Sequence, residues 1–262
     1  MYKQQPSIIN RLKLVSAMFV FLSLITLIIL PNNIEAAKVK TNEVEVSGDF
    51  LNKKAINLTT PMRLSQAVLH ATPKLSAYRA GFFLARLDAV SKQAQLQEKL
   101  KSSLQHLPSN QSLVKRLSQL HPTGRMRLKV PLDGIFVKQH TDPWLKPGDR
   151  IYIPQTPNSV YVFGWTHTTQ LAFHSDWQLT DYVAKLRRQP IADKNFVYVI
   201  YPDGHILHAP IAYWNATQQS VAPGSVIYVP LERSYLKNIQ PDFNIRMAQF
   251  LATQPISAFA KG

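Results

Sequence analysis

Between Ser159 and Pro230 the apolar residues fall into short runs separated by turn residues. Ser159–Trp165 (SVYVFGW) and Gln170–His174 predict a hairpin pair of strands, dense in β-branched and aromatic side chains. Leu179–Arg188 predicts a short helix with Thr180 and Asp181 at its start. Asn195–Tyr201 (NFVYVIY) predicts a strand, Pro202-Asp203-Gly204 a turn, and His205–Ala209 the returning strand. A Pro-Gly turn at Pro223-Gly224 launches the last strand, Ser225–Val229, and Pro230 stops it.

The same pattern occurs earlier in the chain. Lys146-Pro147-Gly148-Asp149-Arg150-Ile151-Tyr152-Ile153-Pro154 matches Ala222-Pro223-Gly224-Ser225-Val226-Ile227-Tyr228-Val229-Pro230, and the helix start at Met62–Val68 matches that at Trp177–Val183. Strands are expected at Lys38–Val46, Ala55–Leu58, Met126–Val130 and Phe136–Lys138. Hairpin, helix, hairpin-like pair and final strand is the order of a β-grasp. The expected fold class is therefore α+β, with two tandem β-grasp domains.

The first copy is much the longer, and its period changes inside. Phe83, Leu87, Val90 and Ala94, then Leu96, Leu100, Leu104 and Leu107, recur at helical spacing. Pro108-Ser109-Asn110 interrupts them, and Leu113, Leu117 and Leu120 form a second stripe. This predicts a helical hairpin inserted at about residues 74–121. The first domain is then 37–156, the second 157–236, and 237–262 forms a tail. In that tail Phe243, Met247, Phe250 and Leu251 line one face of an amphipathic helix, a candidate surface for a partner.

The remaining segment, 1–36, reads as a signal peptide. Lys3, Arg11 and Lys13 precede the uncharged run Leu14–Leu30, and a small-residue exit follows at Ala36-Ala37. The alternative is an uncleaved inner-membrane anchor, because the run reaches the lower limit for crossing a bilayer. Either way the rest of the chain is expected outside the cytoplasm.

Composition gains meaning from that address. The chain has 30 Lys and Arg against 15 Asp and Glu, a net charge of +15 over 262 residues. The signal segment removes only three bases and one acid, so the exported part stays strongly basic. Nucleic acid is not the expected partner there; acidic polysaccharide and anionic headgroups are better candidates. Zero cysteines exclude disulfides, thiol catalysis and thiolate metal sites.

Catalytic patterns are missing: no G-x-S-x-G, H-E-x-x-H, Walker loop or dinucleotide fingerprint occurs. His205 and His208 would point to opposite faces of one strand. No catalytic residue, metal ligand or cofactor is assigned. The sharpest feature is basic: Thr123-Gly124-Arg125 stands where the insert returns to the sheet, and Arg127 and Lys129 follow at alternate positions. On one strand face Arg125, Arg127 and Lys129 would form a cationic strip able to hold a carboxylate or phosphate.

The two Pro-Gly strands, the run from Tyr161-Val162-Phe163-Gly164 to Pro202-Asp203-Gly204, Ala209-Pro210-Ile211-Ala212-Tyr213-Trp214-Asn215 and Asp242-Phe243-Asn244 carry a family likeness. They resemble SLBB (soluble-ligand-binding β-grasp) modules. With the signal segment, the insert and the Thr-Gly-Arg triplet, the chain from about Val44 to Thr253 resembles the GfcC family of capsule-biosynthesis proteins. That resemblance implies a periplasmic, non-enzymatic accessory in assembly or export of capsular or O-antigen-type polysaccharide. Its partners would be acidic polysaccharide or the polysaccharide-export machinery, with a membrane-associated partner for the C-terminal helix as a further candidate. The Arg of the triplet carries over to Arg125. Two other readings stay open: a glycan-modifying enzyme with a composite site, for example Asp133 or Asp142 near Arg125, and a structural adaptor docking through the tail helix.

Overall fold

In the computed structural model, residues 42–107, 111–212, 218–237 and 239–260 are described; the expected signal segment 1–36 lies outside them. The strands form two five-stranded sheets. The first comprises β1 (Glu43–Gly48), β2 (Ile56–Asn57), β3 (Phe83–Ala85), β4 (Arg125–Met126) and β5 (Arg150–Ile153). Its order is β2-β1-β5-β3-β4, with β1 and β5 parallel at the centre and the other neighbours antiparallel. The second comprises β6 (Ser159–Gly164), β7 (Gln170–Ala172), β8 (Phe196–Ile200), β9 (Ile206–Pro210) and β10 (Val226–Val229). It repeats the order, β7-β6-β10-β8-β9, with β6 and β10 parallel. A helix follows the first hairpin in each: α1 (Leu64–Ala71) in the first and, further along, Leu179–Ala184 in the second. This is the tandem β-grasp-like, α+β plan.

The central strands start where the Pro-Gly pairs demand it. Gly148 and Gly224 sit at φ 81° and 80°, the left-handed value a type II turn needs, and Asp149 N and Ser225 N donate back to Lys146 O and Ala222 O. Each turn thus delivers a β-branched strand into the middle of its sheet.

Three sequence expectations for the first sheet are corrected. Phe83 belongs to β3, not to the helical stripe, because Phe83, Leu84 and Ala85 are all buried and pair with β5. A continuous apolar run has no period to tell strand from helix. The expected strand Met126–Val130 is reduced to the two residues of β4, and Phe136–Lys138 is not a strand. Residues Leu132–Val137 form a helix instead, started by Pro131 with Asp133 in its first turn. The helical insertion, α2 (Leu87–Leu104) and α3 (Gln111–Gln119), therefore occupies residues 86–124, between β3 and β4. In the second sheet the corresponding connection between β8 and β9 is the short turn at Pro202-Asp203-Gly204. With these elements placed, the helices after β4 are α4 (Leu132–Val137), α5 (Leu179–Ala184), α6 (Arg233–Leu236), α7 (Phe243–Ala252) and α8 (Ile256–Phe259).

Two cores result. The first gathers Val44, Val46, Leu64, Val68, Leu84, Leu132, Ile135 and Ile151 between its sheet, α1 and α4. The second is larger and crosses the order of the chain: Leu100, Leu104, Leu107, Leu113, Leu117 and Leu120 of the insertion join the second sheet, α5 and α7. Register explains how. Tyr161, Phe163, Val226, Tyr228 and Tyr198 share one face of the second sheet. Over that face Asn244 of α7 accepts from Tyr228 Oη (3.1 Å) and Leu231 N (3.0 Å), and donates to Leu231 O (2.8 Å). The ring of Phe259 in α8 approaches Tyr161 and Phe163, and α2 lies along α7. An insertion in the first repeat thus completes the core of the second.

Candidate ligand groove beside the return strand

The chain re-enters the first sheet through Thr123-Gly124-Arg125. Gly124 sits at φ 76°, and a Cβ there would lie 2.3 Å from Arg86 O. Arg86 N donates to Gly124 O (2.8 Å), and Gly124 N donates to Gln93 Oε1 of α2 (2.8 Å). Only glycine permits this approach of insertion to strand. Thr123 Oγ1 donates to Thr253 O just past α7.

Arg125 then turns inward. It is 5% exposed; Nη1 donates to Gln254 O (2.9 Å), Nη2 donates to Pro202 O, and the guanidinium lies 5.4 Å from the centre of the Phe83 ring. Burial lowers its pKa to about 10, and the charge of Asp203 opposes that shift. The residue joins the edge of the first sheet, the turn between β8 and β9, and the end of α7. It does not share an exposed strip with Arg127 and Lys129: β4 ends at Met126, and the strand alternation that would align the three stops there.

Arg127 and Lys129 are exposed and stay together. They line a groove of about 500 Å³ with Arg79 and His205 at its rim and Phe82 and Leu128 among its apolar walls. Across the groove is the Asp203–His205 turn of the second sheet, where Asp203 Oδ1 accepts from His205 N (2.8 Å). Arg79 is engaged by Asp133, to whose Oδ1 its Nε donates (2.7 Å). Among the described residues, neither Arg127 nor Lys129 enters an ion pair. The groove has mixed polar and apolar walls, with Arg127 and Lys129 outside any ion pair among the described residues and the Asp203 carboxylate also in its lining.

Asp142 and Asp133, singled out in the sequence, have structural partners, as does Asp149. Asp142 is buried and accepts from Ser65 N (3.1 Å) and Ser65 Oγ (2.6 Å), satisfying the first turn of α1. Asp133 is exposed and bound to Arg79. Asp149 is 1% exposed and grips Arg86 through two hydrogen bonds of 2.9 and 2.8 Å, which raise the Arg86 pKa. Among the described residues no three His, Asp or Glu side chains come together as a metal site. The tail residues Phe243, Met247, Phe250 and Leu251 are at most 1% exposed; their face is covered by this chain's own second core. As a partner surface they are corrected: packing on the second sheet has already taken the stripe. Arg79 carries no sequence pattern, and in the sequence His205 is weighed only with His208 as a metal pair; the fold alone brings both to Arg127.

The geometry can be set beside known proteins. Residues 167–255, which run from before β7 to just past α7, match the family model described as capsule biosynthesis GfcC C-terminal. A relative in Escherichia coli K12, the uncharacterized protein YjbG, is 28% identical over 141 residues. That alignment covers 53% of this chain and 58% of the relative. Over residues 167–255, which leave out β6, the chain is thus similar to the GfcC C-terminal region, a likeness to proteins of capsule biosynthesis.

Proposed function

We propose that the protein is a non-enzymatic periplasmic accessory in assembly or export of capsular or O-antigen-type polysaccharide, and that it holds acidic saccharide or an acidic face of the export machinery in the Arg127–Lys129 groove. The carrying observation is the pair of cations that enter no ion pair among the described residues, beside a partly apolar groove wall, in a chain similar to the GfcC C-terminal region. An acidic sugar offers what such a groove binds: carboxylates for the cations and a ring for the apolar wall. The carboxylates near the groove also favour binding over catalysis. Asp133 is taken by Arg79, Asp203 accepts from its own turn, and among the described residues Asp203 is the one carboxylate in the groove lining.

The test uses fluorescent oligogalacturonate as the probe and the double variant Arg127→Glu/Lys129→Glu. Two charge-assisted contacts are reversed, so affinity should fall by more than about tenfold, and wild-type affinity should weaken as salt rises. In a deletion strain the wild-type gene should restore surface polysaccharide and the double variant should not. Equal binding by both proteins, or unchanged surface polysaccharide in the deletion strain, defeats the proposal.

A further inference from the structure

A second groove, of about 610 Å³, lies on the other side of the return segment, between α3, the β6–β7 hairpin and α8. Its chemistry differs from that of the basic groove. Phe259 is partly exposed on it, backed by Tyr161 and Phe163 at ring-centre distances of 6.1 and 6.5 Å. Arg116 is the arginine of this lining, and it is already anchored: Nη2 donates to Val162 O (2.6 Å) and the guanidinium covers the Phe163 ring at 4.6 Å. The exposed residues Thr169 and Ser257 add hydroxyls, and among the described residues no carboxylate lines the groove.

Gln254 lines this groove and also a smaller pocket that Arg125 and Leu251 share. It is 2% exposed, its Nε2 donates to Thr253 Oγ1 (3.0 Å), and its Oε1 has no hydrogen-bond partner. Turning the amide over moves the vacancy to the nitrogen without filling it. A buried amide end without a partner is an exception in folded proteins and calls for one.

We propose that this groove takes one pyranose ring of a saccharide, its C–H face on Phe259 and its hydroxyls on Gln254, Ser257, Thr169 and Arg116. A pyranose combines an apolar face with a rim of groups that both donate and accept, and the groove offers the complement of each. An extended polyanion would find a single cation, already bound to a carbonyl and an aromatic ring. An acyl chain would leave the Gln254 amide unsatisfied. The site is separate from the Arg127–Lys129 groove and stands or falls apart from it.

Saturation-transfer NMR on the purified full chain tests it, with glucose, galactose, mannose, glucuronate and octyl glucoside as probes at millimolar concentration. Ring protons of at least one hexose should receive saturation. Phe259→Ala should weaken binding about threefold to tenfold, the worth of one aromatic contact. Ser257→Trp, at an exposed position, should fill the groove and abolish the signal. The signal of the uncharged hexoses should persist as salt rises, whereas any share of glucuronate held by the basic groove should fade, which separates the two sites. The proposal is overturned if no hexose receives saturation, if both groove variants bind as wild type, or if only the octyl chain of octyl glucoside responds.

Discussion

Arg125 is a cation with carbonyl oxygens and an aromatic ring for company. Its hydrogen-bonding partners stand 129 and 77 positions away in sequence, so no local pattern could announce that the side chain faces inward. The triplet Thr123-Gly124-Arg125 was legible as a special place; the direction of its arginine was not. Arg125→Ala leaves the carbonyls of Gln254 and Pro202 unpaired in a buried junction, and should cost about 2–4 kcal/mol in urea unfolding. Arg125→Lys should recover only part of this, because a single ammonium lacks the fork that reaches both oxygens. Arg127 and Lys129 show the opposite case: alternation pointed to an accessible cationic pair, and both are exposed although the strand between them is missing.

At the scale of elements, the second sheet was read almost strand by strand, because alternating β-branched runs and Pro-Gly or Pro-Asp-Gly turns are local signals. The first sheet was not. β3 is a three-residue apolar run and β4 has two residues, too short for any period to register. The leucine stripes of α2 and α3 were legible, but not the buried glutamines between them. Gln97 Nε2 donates to Leu117 O (2.7 Å) and Leu120 O (2.5 Å), fastening the end of α3, and Gln93 ties α2 to Gly124 and Arg125. A hydropathy pattern scores these as polar and points them outward. The helix α7 was legible as amphipathic, whereas its occupant had to come from the fold. Because that occupant is the second sheet, truncation after Leu236 should expose Tyr228 and the Leu100–Leu120 face together. The truncated chain should bind hydrophobic dye and lose its cooperative thermal transition.

Across the whole molecule, buried phenols set the alkaline limit. Burial raises Tyr78 to about 12, and raises Tyr152, Tyr161, Tyr198, Tyr201 and Tyr228 as well. The unfolded chain releases these protons near pH 10, while the folded chain keeps them. Their stabilising contribution is therefore complete below pH 10 and declines as pH rises above it; the share of Tyr78 is lost through about 12. Arg125 acts the other way above about pH 10, since the unfolded chain then holds the extra proton, and Arg116, also lowered by burial, acts with it; they are two groups against six tyrosines and Arg86. Of the chain's ten tyrosines these six should consequently give phenolate absorbance only together with unfolding, and an early rise larger than the other four can supply, with the fold intact, would contradict this. The repeated sheet order was visible in the sequence, but the membership of the cores was not. Leucines encoded in the first repeat serve the second, and that assignment exists only in three dimensions.

This exchange of leucines has a consequence for how the chain is made and inherited. Residues 87–119 leave the ribosome well before residues 159–259, so the leucine faces of α2 and α3 wait uncovered until the later half arrives. For the same reason the two repeats are not exchangeable cassettes. A recombination event that copied or replaced the second repeat alone would separate it from the helices that roof it, so the pair must be passed on together.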